Sequence, residues 1–398
     1  MRSPAIARTT LAALCLCAGL AAAAPACPPV DQPAVVDGRA VERPVVRIAI
    51  LLDTSNSMDG LIAQAKSQVW SIVNRFGRSC RAGARPDLRI ALYEYGNNSI
   101  KPSEGYIRQV LPFTTDLDLL SEKLFGLTTN GGEEFCGAVI KRAIADLDWA
   151  KRPGDLSMVV IAGNEPFTQG DVHYSEAIAD ALTKGVKINT IFCGNRQEGV
   201  ATKWVDGAVL GRGTFGNIDQ NAPLDTCATP YDDEIVRLGS EINITYIPYG
   251  RDGETGQARQ TAMDEKNMAV PGAAPERAAS KASGGGQYRN GNWDLVDAVK
   301  EGRIQLKDMD ERDLPADMQK MNATDREKHL KDMLARRDEI SRRIAELNKQ
   351  RMTFIEQDKA KKAGEVRATG RQAEQTLGDA LLAAIDKQAT DEGYEFEK

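Results

Sequence analysis

The chain has 398 residues, with 42% hydrophobic and 27% charged side chains and a formal net charge of −6. This is the composition of a soluble globular protein with a charged helical part, and the acidic balance gives no general attraction to nucleic acid or anionic lipid. The only histidines, His173 and His329, lie far apart in the sequence, which disfavours a histidine-rich zinc site or a histidine-centred triad.

The chain opens as a secretory signal. Arg2 and Arg8 flank its beginning, and "LAALCLCAGLAAAA" is an apolar core of roughly fourteen residues, short for a bilayer span. Ala24 and Ala26 fit a small-x-small cleavage site before Cys27. Residues 1–26 are therefore expected to be removed and 27–44 to form an N-terminal segment. A lipoprotein acylated at Cys27 is the competing reading, but "APAC" lacks the usual leucine. Five cysteines remain after cleavage: Cys27, Cys80, Cys136, Cys193 and Cys227. An exported chain meets an oxidising compartment in which disulfides form, and an odd count leaves at least one thiol without an internal partner. No later apolar stretch is long enough to cross a membrane.

From residue 45 to 250 apolar strands alternate with helical patterns. "VVRIAILLD" reads as a strand buried on both faces, and residues 58–76 follow at helical spacing. "DLRIALYEYG" is a second strand, and "YIRQVLPF" a short third, placed as an antiparallel edge. Residues 116–126 and 134–147 read as helices. "LSMVVIAGN", a helix over 172–184, "VKINTIFCG", a helix over about 198–210, "GTFGNI" and the helix "YDDEIVRLGSEIN" complete the series. This alternation predicts a doubly wound, mostly parallel α/β sheet with helices on both faces. Trp70, Trp149 and Trp204 are expected to pack rather than to bind.

Residues 251–290, rich in Gly, Ala, Ser, Gln and Arg, read as a flexible linker. Residues 291–398 read as a helical, partly coiled-coil tail. "NWDLVDAVKEGRIQL" and "LPADMQKM" supply short helices, and 324–360 one long charged helix. In it Leu330, Met333, Ile340, Ile344, Leu347 and Phe354 form a stripe that Arg337 and Arg351 interrupt. Two polar breaks mean either a weak coiled coil or a helix docked on something. "TLGDALLAAIDKQA" offers a second apolar face.

Open α/β sheets bind ligands beyond the carboxyl ends of their strands, where "ILLDTSNSMDG" places Asp53, Ser55 and Ser57 on alternate positions. An acid and two hydroxyls there offer oxygen ligands to a hard divalent cation. A bare match of this kind is an ordinary turn and N-cap; between a buried strand and an amphipathic helix it points to an ion.

"VRIAILLDTSNSMDG" followed by this alternation resembles a von Willebrand factor type A domain over residues 45–250, and its first loop resembles the metal-ion-dependent adhesion site of that family. The resemblance implies a divalent ion, Mg²⁺ or Ca²⁺, held also by a threonine on a second loop and an aspartate on a third, and completed by an acidic group of a protein partner. Here the threonine position falls on Glu134 in "LTTNGGEEFCG", with Thr128 and Thr129 earlier in the loop, and the aspartate position on Asn164 in "AGNEPFTQG". The expected ligand set is Asp53, Ser55, Ser57, Glu134 and Asn164, in which a second carboxylate makes the ion more structural and less attractive to a partner's acid. Glu94 and Tyr95 are placed on the rim of the site and Tyr93 in the core. The family's strand order puts Cys193 beside Cys227, implying one disulfide, and Cys27 and Cys80 near the opposite edge, implying a second; Cys136 is then the odd thiol.

Further stretches, among them "IFCGNRQEG" and "WDLVDAVKEG", resemble exported bacterial type A proteins with a helical tail. The expectation is a periplasmic, non-enzymatic protein that binds a divalent cation and an unidentified envelope protein, with the tail able to self-associate. The alternative is a scaffold working through its tail, with a degenerate, metal-free site.

Overall fold

The computed structural model describes residues 35–36, 39–40, 42–150, 152–222, 227–283, 286–369 and 376–397. The signal-like stretch and Cys27 lie outside these residues. A two-strand ribbon, β1 (Val35–Val36) and β2 (Arg39–Ala40), precedes the main chain path. β3 (Val45–Asp53) is buried at every residue, as its apolar run requires. It leads through a short turn into α1 (Asp59–Gly77) and then β4 (Ser79–Arg81). Next come β5 (Asp87–Tyr95), β6 (Ile107–Thr114), α2 (Leu117–Phe125), α3 (Cys136–Asp146) and β7 (Leu156–Gly163). α4 (Tyr174–Thr183), β8 (Lys187–Cys193), α5 (Arg196–Ala201), α6 (Trp204–Leu210), β9 (Arg212–Ile218) and α7 (Asp232–Glu241) complete the alternation. The helix expected over 198–210 is broken in two by Lys203, whose φ is 74°.

The six-stranded sheet runs in the order β6-β5-β3-β7-β8-β9, with only β6 antiparallel to its neighbour. Alternate side chains of β3 serve two cores. Val46, Ile48, Ile50 and Leu52 face one layer with α1, α2 and α7; Ala49 and Leu51 face the other, with α3, α4 and α6. The three tryptophans are buried as expected.

The stretch read as a flexible linker is helical: α8 (Gly253–Met268) and α9 (Ala273–Ala282). Its polar composition misleads because the polar groups are buried with partners. Arg277 pairs with Asp118 and Asp264, both at 2.6 Å, and Lys281 with Asp264 at 2.7 Å. The Arg277 guanidinium also lies 4.7 Å from the Trp70 ring centroid.

The tail likewise packs on the domain. α10 (Leu295–Lys300) and α11 (Ala316–Gln319) meet the start of α12 (Ala323–Thr369) in a small core of Ile247, Leu295, Leu314, Met318 and Leu330. Arg337 and Arg351, which break the stripe in sequence, are the residues that dock it. Arg337 reaches Asp294 at 2.6 Å, Asp297 at 2.7 Å and the Thr245 carbonyl at 2.6 Å. Arg351 reaches Asp232 on α7 at 2.8 Å and Glu276 on α9 at 2.5 Å. Ile340, Ile344 and Leu347 lie between these pins in the main core, while Phe354 is exposed. Of the two readings of the stripe, the docked helix is the one the structure adopts.

α13 (Leu377–Asp391) opens with a capping box between Thr376 and Asp379 and buries Leu377, Leu381 and Ile385 in the main core. It rests so closely on β9 that a Cβ at Gly216 would lie 2.7 Å from that of Ala380. β10 (Tyr394–Phe396) then pairs antiparallel with β4. Among the described residues no helix is long and apolar enough to cross a membrane.

Candidate metal centre

β3 delivers Asp53 to the carboxyl edge of the sheet, beside Tyr95 at the end of β5. The chain then turns sharply: the Ser55 amide donates to Asp53 Oδ1 at 2.7 Å, and Ser55 Oγ and Ser57 Oγ lie 3.4 Å apart. Asp53 is fully buried and Ser55 nearly so, while Ser57 faces solvent.

The second loop is laid against the first by backbone bonds. Asn130 donates to the Thr54 carbonyl at 3.0 Å, and the Asn97 side chain donates to the Thr128 carbonyl at 2.8 Å. The loop passes so near β5 that a Cβ on Gly132 would lie 2.7 Å from the Gly96 carbonyl oxygen. Glu134, just before α3, thereby comes up beside Asp53, both side chains lying against Gly96. Gln169, in the third loop, accepts from the Glu134 amide at 3.0 Å. Gly96 must be glycine on two counts: its φ is 79°, and a Cβ there would meet Glu134 Cγ at 2.7 Å and Asp53 Oδ1 at 3.0 Å.

Asn164 follows β7 and donates through Nδ2 to Ser57 Oγ at 3.1 Å. All five expected residues are thus gathered at one place. Thr128 and Thr129 are not among them: Thr129 Oγ1 donates to Asp59 at 2.6 Å, and the Thr128 carbonyl serves Asn97.

Three oxygens in this cluster are buried and lack a hydrogen-bond partner: Asp53 Oδ2, Glu134 Oε2 and Asn164 Oδ1. They come from three different loops. Burial raises the pKa of Asp53, against lowering hydrogen bonds from Glu134 and Ser55. Burial, then the hydrogen bond with Asp53, also pushes Glu134 up. Both shifts favour the protonated form of the carboxyls in the folded chain.

Among the described residues no group of three or more His, Cys, Asp and Glu side chains is placed to hold a metal. The set here has two carboxylates, completed by two hydroxyls and an amide oxygen, which is the donor chemistry of a hard cation. The residues present fit such an ion: its charge would offset the burial of the two carboxylates and satisfy the unpartnered oxygens.

Other expectations divide. Tyr95 does lie beneath the site, its hydroxyl donating to the Ala162 carbonyl at 2.9 Å. Glu94, next along β5, points to the opposite face and is held by Arg108 and by Thr54 Oγ1 at 3.3 Å; it does not line the site. Tyr93 is buried in the core. The pairing of Cys193 with Cys227 is not formed, and both are free thiols. Cys193 points into the main core, whereas Cys227 lies beside Asp358 of α12. Cys80 is disulfide-bonded, and Cys27, its expected partner, is outside the described residues. Cys136 is free and buried, its Sγ 3.9 Å from the Tyr95 hydroxyl. Gln169, Gly96 and Gly132 escape a reading of the sequence, because their roles depend on how two loops approach across the sheet edge.

No family model matches the chain, and no curated protein matches it. Solved structures do. A von Willebrand factor type A protein from Catenulispora acidiphila is 16% identical with a TM-score of 0.33, over 45% of this chain and 39% of that one. BatB from Bacteroides thetaiotaomicron is 16% identical with a TM-score of 0.33, over 44% and 90%. The SpRpn10 VWA domain is 16% identical with a TM-score of 0.35, over 45% and 91%. The chain thus spans under half the length of the Catenulispora protein. Likenesses this distant say nothing of function. By the order and direction of its six strands and the Asp53–Ser57 turn that closes β3, the chain carries the fold of a von Willebrand factor type A domain.

Proposed function

We propose that the chain is a non-enzymatic binding protein of the bacterial envelope that holds one divalent cation at the carboxyl edge of its sheet and meets a protein partner there. The observation that carries this reading is the convergence of Asp53 Oδ2, Glu134 Oε2 and Asn164 Oδ1, buried and unpartnered, beside the Ser55 and Ser57 hydroxyls. Leaving a buried acceptor unsatisfied costs about 1–3 kcal/mol, and one hard cation relieves all three. Asp53, Ser55, Ser57, Glu134 and Asn164 would hold Mg²⁺ or Ca²⁺, and the bound ion supplies positive charge that ties three loops together. With two carboxylates already on it, the ion is a weak attractor for a partner's acid. The non-enzymatic reading is supported at Cys136 and Cys193, the thiols near the site, which burial holds well above their ordinary pKa. The alternative of a scaffold working through its tail with a degenerate, metal-free site has less support, because the unpartnered oxygens of Asp53, Glu134 and Asn164 retain the donor chemistry of an ion site.

Thermal melting tests the ion. At a hundredfold excess over its dissociation constant Mg²⁺ or Ca²⁺ adds about 2.7 kcal/mol, a rise in Tm of roughly 3–5 °C for a chain this long. Asp53→Ala abolishes the shift, and Glu134→Thr reduces it by weakening the ion's hold. A wild-type melt indifferent to Mg²⁺, Ca²⁺ and Mn²⁺ rejects the reading.

The pH dependence follows from the raised carboxyls. A carboxyl whose folded pKa exceeds its unfolded value favours the fold when protonated, so its contribution is present at low pH and is lost as pH rises towards the folded value. In EDTA this pair therefore weakens the fold as pH climbs from 5 to 8. With the cation bound the proton is displaced and the loss disappears, so the Mg²⁺-induced shift in Tm grows with pH. A shift that shrinks over that range contradicts the raised carboxyls.

A further inference from the structure

A groove begins where the ion loop ends. The first turns of α1 form one wall with Ile62, Ala63 and Lys66; Leu127 after α2 and the turn between α8 and α9, with Val270 and Pro271, form the other. It encloses 260 Å³. Asp59 closes the end nearest the ion, its carboxylate engaged by Thr129 Oγ1 at 2.6 Å. The lining is otherwise mostly apolar, and Lys66 brings a positive charge to it, with Lys266 close by. Lys66 Nζ lies 5.4 Å and Lys266 Nζ 5.9 Å from the centroid of the same Phe125 ring.

These two ammonium groups differ from other cations on this side of the molecule. Arg259 nearby is spent on Asp116 and Glu122, and Arg277 on Asp118 and Asp264. Neither Lys66 nor Lys266 has a carboxylate within salt-bridge distance among the described residues. They stand near one aromatic ring and repel each other. Burial first, and then Lys266, lower the Lys66 pKa, against Asp59, which is the state an added anion relieves.

We propose that this groove receives an acidic, apolar segment of the partner protein: an apolar side chain rests on Ile62, Leu127 and Val270, and the adjacent carboxylate sits between Lys66 and Lys266. The inference rests on the reading that a partner meets the carboxyl edge, and it moves capture of the partner's acid from the ion to the lysines. Charge complementarity selects this occupant, since a basic segment would bring a third cation to two ammonium groups that have no carboxylate within salt-bridge distance among the described residues.

The test is an array of immobilised nonapeptides with a central Glu-Leu, Glu-Phe or Asp-Leu pair, each beside Gln and Lys controls, probed with the full chain in Mg²⁺ and in EDTA. The acidic apolar peptides are expected to bind in both buffers and to lose about tenfold or more in affinity with Lys66→Glu/Lys266→Glu. Lys66→Met/Lys266→Met, which keeps the apolar stems, melts like wild type but no longer prefers acid over Gln. The proposal is overturned if Gln controls bind equally well, if the lysine variants bind unchanged, or if no acidic peptide binds. Binding that vanishes in EDTA and with Asp53→Ala yet ignores the lysines rejects the groove and keeps the ion reading. Lysine-dependent binding without any cation-induced melting shift keeps the groove and rejects the ion.

Discussion

A chain ended at residue 375 is expected to lose cooperative folding of the whole sheet. Such a chain lacks α13 and β10, and with them the buried side chains Leu377, Leu381, Ile385 and Tyr394. At about 1.5–3 kcal/mol for each large apolar side chain withdrawn from water, the loss is roughly 6–12 kcal/mol, the size of a typical domain's entire stability of about 5–15 kcal/mol. The face that α13 covers on β9 and α1 becomes an apolar surface open to water. Circular dichroism should show no sharp melt, and trypsin should cut within the sheet. A truncated chain that melts cooperatively within a few degrees of the full one would show α13 to be an appendage.

Arg337→Ala is expected to cost about 3–5 kcal/mol, because it leaves the buried Asp294 and the half-buried Asp297 without their counter-ion. Arg337→Lys recovers little, since an ammonium cannot reach Asp294, Asp297 and Thr245 at once as the guanidinium fork does. Arg343, exposed on the same helix and paired with Glu346, is the control: Arg343→Ala should stay within about 0.5 kcal/mol of wild type. Urea titration separates the two. Equal midpoints for the Arg337 and Arg343 variants would mean that α12 does not depend on its buried ion pairs.

Much of the fold is legible in the sequence because burial on both faces leaves a strong mark. "VVRIAILLD" and "LSMVVIAG" announce central parallel strands, and the more polar "YIRQVLPF" announces the antiparallel edge. What misleads is polarity that is buried. Arg277 and Lys281 give the 251–290 stretch a linker's composition, and only the carboxylates of Asp118 and Asp264, far away in sequence, turn them into core residues. Arg337 and Arg351 look like defects in a stripe until Asp294, Asp297, Asp232 and Glu276 are seen opposite them. At the candidate metal centre the same distinction holds. Asp53, Ser55 and Ser57 are legible because one turn carries all three. Glu134 and Asn164 are reached only through the family resemblance, and Gln169 and Gly96 act only through contacts between loops. The pairing of Cys193 with Cys227 fails for a related reason: strand order places a strand's end, not the direction in which its side chain points.

The pairing of β10 with β4 joins Phe396 to Ser79, nearly the full length of the chain apart. Contacts so distant in sequence require closing a very large loop before any of their energy is recovered, which slows folding. The strands β3 to β9 and helices α1, α2 and α7 can associate early, but the patch of α1 and β9 that α13 covers is filled only after residue 376 has been made. Refolding of the denatured protein should accordingly proceed through a species in which the sheet is formed and α13 and β10 have still to dock.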